Sequence, residues 1–363
     1  MRINLMDGSL RVLGGHPHDI DLRLTKEMVN AGHDVHVYCH VNAADVLKSH
    51  YLPIAPITPV FTVNPYISPV SLDSVAGDII KNLDGGRLTA NELMKTRAAD
   101  VWLWPSLYSH QLLACAITKT KALISGCIHH PPGFFSPEDG AWWRYGFMRA
   151  RKAALNLKVG AIEPVTAPLF VPLTMDGKFL LFPFPNDGPQ TVVAHQTAKT
   201  IGVFGSQREE KGALFLRPLL EKLAADGYEV ILHDSSQNDN DYGELLGVIR
   251  LGHVMDLDAE IAKCDLVLVP YHPDSYRHRG SGIVMSALAN GIPVVAPFGS
   301  APGKLIEQTG AGTLFTTYSL DSIYAAVQSA INGYAAIAKA AYGVGCHWQE
   351  QHGIKKFLDA MIQ

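Results

Sequence analysis

Short apolar runs alternate with stretches of helical periodicity along almost the whole chain, and this alternation restricts the fold more than any other feature. A strand, an amphipathic helix and a second strand bury their apolar faces together by crossing over onto a parallel sheet, so the pattern predicts an α/β protein. Strands are expected at Arg2–Asp7, Asp34–Val41, Val60–Val63, Asp100–Pro105, Ala122–Ile128 and Gly160–Pro164. Helices are expected at Asp19–Ala31, Arg87–Ala98, Tyr108–Thr118 and Pro137–Leu157. Gly8–Pro17 reads as a loop, and Gly32 stands where a helix C-cap belongs.

Between Pro164 and Gln190 the periodicity is lost and prolines and glycines accumulate, the composition of a linker. At Thr200 the alternation restarts. Strands are expected at Ile201–Gly205, Tyr228–Asp234, Val248–Gly252, Asp265–Pro270, Ile292–Ala296 and Gly312–Phe315. A helix is expected at Ala213–Ala225, and another at Leu320–Asn332 with Ser319 as its N-cap. The reading is two doubly wound, Rossmann-like domains facing across a cleft: 1–188, 189–345, and a closing helix within 346–363 that can pack back toward the first domain. The length of 363 residues agrees with this, at roughly 100–200 residues per domain. Ligands of such sheets bind at the carboxyl ends of the strands.

Composition narrows the function classes. A chain that is 47% hydrophobic with a net charge of −4 is not a disordered one, and it lacks the positive excess of a duplex binder, so no nucleic-acid partner is expected. Five scattered cysteines without a C-x-x-C pair fit a reducing compartment rather than a disulfide framework or a zinc site. None of the sixteen histidines falls in a metal-ligand motif, so no metal is expected. The N-terminus lacks the apolar core of a signal peptide, and no apolar run approaches the roughly 18 residues of a membrane span. A soluble cytoplasmic protein is expected, with attachment to the inner face of a membrane as the alternative.

Four segments carry chemistry. Leu13–Asp19 sets Gly14, Gly15 and His16 between the first strand and the first helix, where adjacent glycines admit a ligand and helix amides face an anion. It lacks G-x-G-x-x-G, which argues against a nicotinamide dehydrogenase, and it equally fits an ordinary turn. Gly205–Gly212 places Ser206, Arg208 and Lys211 after the first strand of the second domain, a set suited to a departing phosphate or to a solvated turn. Tyr271–Gly282 brings Arg277, His278, Arg279 and Gly280 to the start of a helix, expected at Gly282–Ala289, that either Ser281 or Gly280 can cap, and whose exposed amides would hold a diphosphate. Ser125–Pro132 ends a strand with His129 and His130, a pair that either meets a sugar or a reacting oxygen, or is a polar strand end stiffened by two prolines.

Taken together, the second-domain segments resemble the retaining glycosyltransferases of the GT-B fold, family 4 most closely. That family opens its second domain with G-R-x-x-x-x-K-G, carries a G-x-V strand end, and closes with P-S-x-x-E-x-x-x-x-x-x-x-E-A-x-A-x-G-x-P-V-V. Here Gly205, Lys211 and Gly212 match the opening, Leu251–Val254 the middle, and Pro270 with Ala287–Val295 the close; Gly310–Phe315 is similar to the strand that follows. The chain departs from the pattern at three places. Ser206 stands at the family's arginine, with Arg208 nearby, and the two glutamates fall on His278 and Ser286. In the family the first glutamate faces the donor sugar and the second holds the nucleotide ribose.

The resemblance implies sugar transfer from a nucleotide-sugar donor to a glycan or lipid-linked acceptor, with retention at the anomeric carbon and without metal or cofactor. Lys211, Arg208 and Arg279 would stabilise the leaving diphosphate, and His129 would act on the acceptor side. Gly14, Gly15, His16, His130, Gly205, Ser206, His278, Gly280, Ser281, Gly282 and Ser286 would contact substrates. The acidic run Asn238–Asp241 contains D-x-D, a metal signature of the other major glycosyltransferase fold, and reads here as a solvated loop. The aromatic and basic segment 142–158 is either a surface for an anionic membrane or a core-facing helix with its arginines turned outward. Two rival functions stay open: a nucleotide-sugar epimerase of the same architecture, and a non-catalytic sugar-nucleotide binder.

Overall fold

In the first half of the chain the elements run β1 (Arg2–Met6), α1 (Gly15–Asn30), β2 (Asp34–His40), α2 (Asp45–Tyr51), β3 (Ile57–Phe61), α3 (Gly85–Leu93), β4 (Val101–Trp104), α4 (Ser109–Thr118), β5 (Leu123–Cys127), α5 (Asp139–Lys152), β6 (Leu157–Ala161), one helical turn α6 (Ala167–Phe170) and β7 (Leu180–Leu181). The computed structural model describes residues 1–63, 80–235, 245–252, 254 and 256–363, the side chains of 15, 16, 80 and 81 excepted. The strands form one parallel sheet in the order β3-β2-β1-β4-β5-β6-β7. All four residues of β4 are buried, as a strand covered by helices on both faces requires. Around it Met6, Phe61, Trp104, Ile124, Phe147 and Phe170 share one core, each large side chain contributing roughly 1.5–3 kcal/mol by leaving water. Pro59 is tolerated in β3 because that strand lies at the sheet edge.

The second half repeats the construction: β8 (Thr200–Val203), α7 (Ala213–Ala225), β9 (Glu229–His233), β10 (Val248–Leu251), α8 (Leu257–Ile261), β11 (Leu266–Leu268), α9 (Gly282–Ala289), β12 (Val294–Pro297), α10 (Ala301–Thr309), β13 (Gly312–Phe315), α11 (Leu320–Asn332), α12 (Tyr334–Cys346), α13 (Trp348–Gln351) and α14 (Ile354–Ile362). Its six strands are parallel in the order β10-β9-β8-β11-β12-β13. Both sheets are therefore Rossmann-like.

Two compact units result, Met1–Pro185 with Ile354–Gln363 and Asn186–Gly353. Where the sequence suggested a division at 188, Asn186 already bonds within the second unit: its carbonyl accepts Trp348 Nε1 at 2.7 Å and its Nδ2 donates to Ser286 Oγ at 3.0 Å. The tail is not one helix. It breaks at His352 and Gly353, and α14 then belongs to the first unit, where Ser125 Oγ donates to the Met361 carbonyl at 2.7 Å.

Other differences have local causes. α1 begins four residues earlier than expected, because Pro17 falls in the first turn, where its missing amide costs no intrahelical bond. α2 and α6 have seven and four residues, too few for periodicity to register. The stretch read as linker also contributes β7, whose two exposed leucines add an edge strand. α5 stops at Lys152, since Leu157 is needed as the first residue of β6.

Candidate functional site

In each sheet the strand order reverses between neighbours: β1 and β4 in the first unit, β8 and β11 in the second. The connections leaving such a pair diverge to opposite sides and open a crevice at the carboxyl ends. In the second unit the loops leaving that pair are Phe204–Gly212 and Val269–Ser281, which carry Gly205, Arg208, Gly212, Arg277, Arg279 and Gly280.

Backbone geometry ties these loops together. Gly212 has φ +89, and a Cβ there would lie 2.3 Å from the Pro270 carbonyl oxygen, so only glycine lets the loop after β8 close against the end of β11. Gly205 lies under Lys211, whose Nζ would be 3.1 Å from a Cβ at that position. Gln207 is buried and locks the turn, its amide donating to Asp234 Oδ1 at 2.9 Å and its Nε2 to the carbonyls of Gly205 (3.2 Å) and His233 (3.1 Å).

Three cations converge on this frame. Burial, with the like charges of Arg208 and Arg279 beside it, pushes the Lys211 ammonium down to about 8, against the opposing pull of Glu210 and Asp234. Lys211 Nζ lies 5.4 Å from the centre of the Tyr271 ring, and the Arg279 guanidinium 5.0 Å from that of Tyr276. The two rings stack at 4.2 Å and form the wall that holds both cations. Arg208 Nε pairs with Glu210 Oε1 at 3.1 Å. Arg277, expected beside Arg279, is instead exposed and paired with Asp274 at 2.6 Å.

α9 starts at the same crevice. Ser281 caps it, its Oγ accepting from Val284 N and lying 3.2 Å from Tyr271 Oη. As first-turn amides, those of Gly282 and Ile283 have no intrahelical acceptor and carry the positive end of the helix dipole. Apart from its first residue the helix is buried, in keeping with its wholly apolar sequence after Ser286 and before it. Gly280 and Ser206 are half-buried in the two loops. Three cationic side chains beside a helix N-terminus are chemically suited to an anion.

The two positions where the resemblance leads one to expect carboxylates behave differently. His278 is half-buried, and burial, with Lys304 and Arg277 adding to it, pushes its imidazole down. Ser286 accepts from Asn186 Nδ2, and the same Nδ2 reaches Asp258 Oδ2 at 3.1 Å. A carboxylate thus comes within one side chain of Ser286, supplied by α8 rather than α9. Sequence spacing could not reveal this, because Asn186, Asp258 and Ser286 meet only in three dimensions. Tyr271, Tyr276, Gln207 and Asp234 escaped the sequence reading for the same reason.

The first unit gathers its own group. Gly14, with φ +78, precedes α1 and its amide donates to His18 Nδ1 at 3.1 Å; Gly15 and His16 form the first turn of that helix. Beneath the loop lie Asp7 and Asp21, both fully buried. Burial pushes Asp7 up, and burial with the charge of Asp7 pushes Asp21 well up, so the pair holds a proton that ordinary aspartates would release. His129 donates Nε2–H to the Pro105 carbonyl at 2.8 Å, and burial pushes its ring down, so it is neutral with that proton committed to the main chain. His130 stacks on Phe134 at 4.2 Å, and both histidines line a small cavity with Tyr108, Phe135, Asp139 and Trp143.

Within segment 142–158, the part up to Lys152 lies in α5 and faces the core: Trp143, Phe147 and Ala150 are buried, while Arg144, Arg151 and Lys152 are exposed; the rest is a turn and the start of β6. No helix among the described residues is long and apolar enough to cross a membrane. Asn238–Asp241 and His253 lie outside the described residues.

No family model and no curated relative matches the sequence. Solved structures match over nearly the whole chain. Sucrose-phosphate synthase from Thermosynechococcus elongatus is 12% identical with a TM-score of 0.69, covering 99% of this chain and 97% of its own. Anabaena HepE in complex with UDP and glucose is 16% identical with a TM-score of 0.66 over the same shares. The glycotransferase of kitacinnamycin is 16% identical with a TM-score of 0.63, again covering 99% and 97%. This chain has the fold that these three structures share.

Proposed function

We propose that this protein is a retaining glycosyltransferase that moves a sugar from a nucleotide-sugar donor to a hydroxyl of a glycan or glycolipid acceptor in surface-polysaccharide assembly, without a metal. The observation that carries the reading is the cluster of Lys211, Arg208 and Arg279 beside the N-terminus of α9, at the point where the second sheet reverses its strand order. The likeness to HepE, crystallised with UDP and with UDP-glucose, supports a nucleotide-sugar donor.

In this reading the acceptor oxygen attacks the anomeric carbon as its bond to the diphosphate breaks, on the face the diphosphate leaves. The acceptor's proton passes to the departing phosphate oxygen. Negative charge grows on that phosphate, and Lys211, Arg279 and the amides of Gly282 and Ile283 are positioned in advance to stabilise it, which is where preorganised charge lowers a barrier most. The Tyr271–Tyr276 wall keeps two of these cations from wandering. No side-chain nucleophile is needed.

Incubating the protein with UDP-, GDP-, CMP- and ADP-sugars tests the assignment. Turnover that requires an acceptor supports it. Isomerisation without acceptor would replace it with an epimerase, and nucleotide binding without either reaction with a non-catalytic binder.

A further inference from the structure

One turn into α9, a hydrogen-bonded group of three side chains has polar capacity that the described residues leave unused. Ser286 follows Gly282 by four residues, so the two share one face of the helix, and Ser286 lies about one 5.4 Å turn beyond the first-turn amides. Asn186 ties this position to α8. It is buried, its carbonyl accepts Trp348 Nε1 at 2.7 Å, and its Oδ1 accepts the Gly188 amide at 2.8 Å, which fixes the side chain and leaves its nitrogen to donate. The two protons of Nδ2 go to Ser286 Oγ at 3.0 Å and to Asp258 Oδ2 at 3.1 Å. Ser286 Oγ is thus an acceptor here, and its own proton meets no acceptor among the described residues. Asp258 is half-buried, and its Oδ1 receives neither a hydrogen bond nor an ion pair among the described residues. A hydroxyl donor and a carboxylate acceptor therefore stand within 3.1 Å of one fixed nitrogen.

That combination matches a vicinal diol, one hydroxyl donating to the carboxylate while its neighbour accepts from the serine. In a nucleoside diphosphate the ribose follows the phosphates directly, at about the separation of one helix turn. A carboxylate on the ribose 2′-hydroxyl is also how nucleotide-binding parallel sheets commonly hold the sugar. On the nucleotide-sugar reading above, we propose that Asp258 is a specificity-determining residue that accepts a hydrogen bond from the ribose 2′-hydroxyl of the donor, with Ser286 on the adjoining hydroxyl. The protein then takes ribonucleoside diphosphate sugars and discriminates against 2′-deoxyribonucleoside ones. A 2′-deoxyribose leaves the carboxylate facing a hydrogen on carbon, and a site built to bond a hydroxyl rejects the analogue that lacks it. No bond is made or broken at Asp258.

The test is calorimetric titration of the full-length protein with UDP, GDP and ADP and with the 2′-deoxy form of each. For the base that binds, wild type is expected to hold the ribonucleotide at least about tenfold more tightly, because a hydrogen bond to a charged acceptor is lost with the hydroxyl. In Asp258→Ala that preference falls to within about threefold, while the Kd of the 2′-deoxy form stays within about threefold of wild type and so shows an intact site. Asp258→Asn keeps an uncharged acceptor and the bond to Asn186, and is expected to lose part of the preference even if Asp258→Ala does not fold. An aspartate needed only to hold Asn186 would weaken both nucleotide forms alike when removed. That result, equal binding of the two forms by wild type, or an undiminished preference in both variants overturns the ribose assignment alone. Wild type that binds no nucleotide of either kind overturns the nucleotide-sugar reading with it.

Discussion

Replacing Lys211 by Met is expected to make the empty protein more stable and the nucleotide-binding protein useless, a combination that a merely structural lysine would not produce. The folded state holds this ammonium at about 8, against an ordinary 10.5. The folded chain therefore binds fewer protons than the unfolded chain between those values, so stability rises with pH across that window and Lys211 costs most below pH 8. The difference corresponds to roughly 3 kcal/mol at 1.36 kcal/mol per pH unit, which solvent screening at a half-exposed group reduces to about 1–2 kcal/mol. Met keeps the stem that packs toward Tyr271 and deletes the charge. At pH 7 the second unit should then melt higher by roughly 2–8 °C. A charge-assisted contact to phosphate contributes about 1.5–3 kcal/mol, so nucleoside diphosphate Kd should rise about 10- to 150-fold. Calorimetric melting of both proteins from pH 6 to 11, with titration of UDP, GDP and ADP, measures each effect. A lower Tm in Lys211→Met with unchanged Kd would refute the reasoning, since it would mean that the ammonium is stabilised by the fold rather than held ready for an anion.

Arg279→Ala should cut transfer by more than about tenfold through loss of diphosphate stabilisation, whereas Arg277→Ala, which breaks only the surface pair with Asp274, should stay near wild type in the same assay. Gly212→Ala should cost several kcal/mol, about 1–2 from left-handed backbone and the rest from the 2.3 Å approach to Pro270, and a Tm unchanged from wild type would contradict the loop geometry. Asp21 is raised in the folded state, so its contribution is fully present below its unfolded value and is lost as pH rises through the folded one. Asp21→Asn should accordingly stabilise the first unit by about 1–3 kcal/mol at pH 8 and much less at pH 4; equal effects at the two pH values, read by urea denaturation, would remove the shared-proton account.

Much of the fold was legible before any coordinates. The strands β1, β2, β4, β5 and β6, and all six of the second sheet, follow from short apolar runs, buried most completely in the central strands and only partly in the edge strands β10 and β13. What escaped was in part short: α2, the turn α6 and the edge strand β7 have too few residues for a period to be counted, but the thirteen-residue α12 was also not expected. The site was legible in part. Glycines with basic residues at strand ends pointed to Gly205–Gly212 and to the start of α9, because backbone freedom and charge are written locally. Arg277 shows where that reasoning stops, since its sequence neighbourhood matches Arg279 but its partner is Asp274.

The chain's own order of residues determined that it would form two parallel sheets, since hydrophobic period and turn chemistry act over a few residues and are visible wherever they occur. The tertiary structure alone decided which charged groups meet. It put Lys211 beside two like charges and against Tyr271, and brought the Asp258 carboxylate to Ser286 through Asn186. These outcomes depend on distance and on exclusion of water, which are set by strand order and by the loops that strand order brings together.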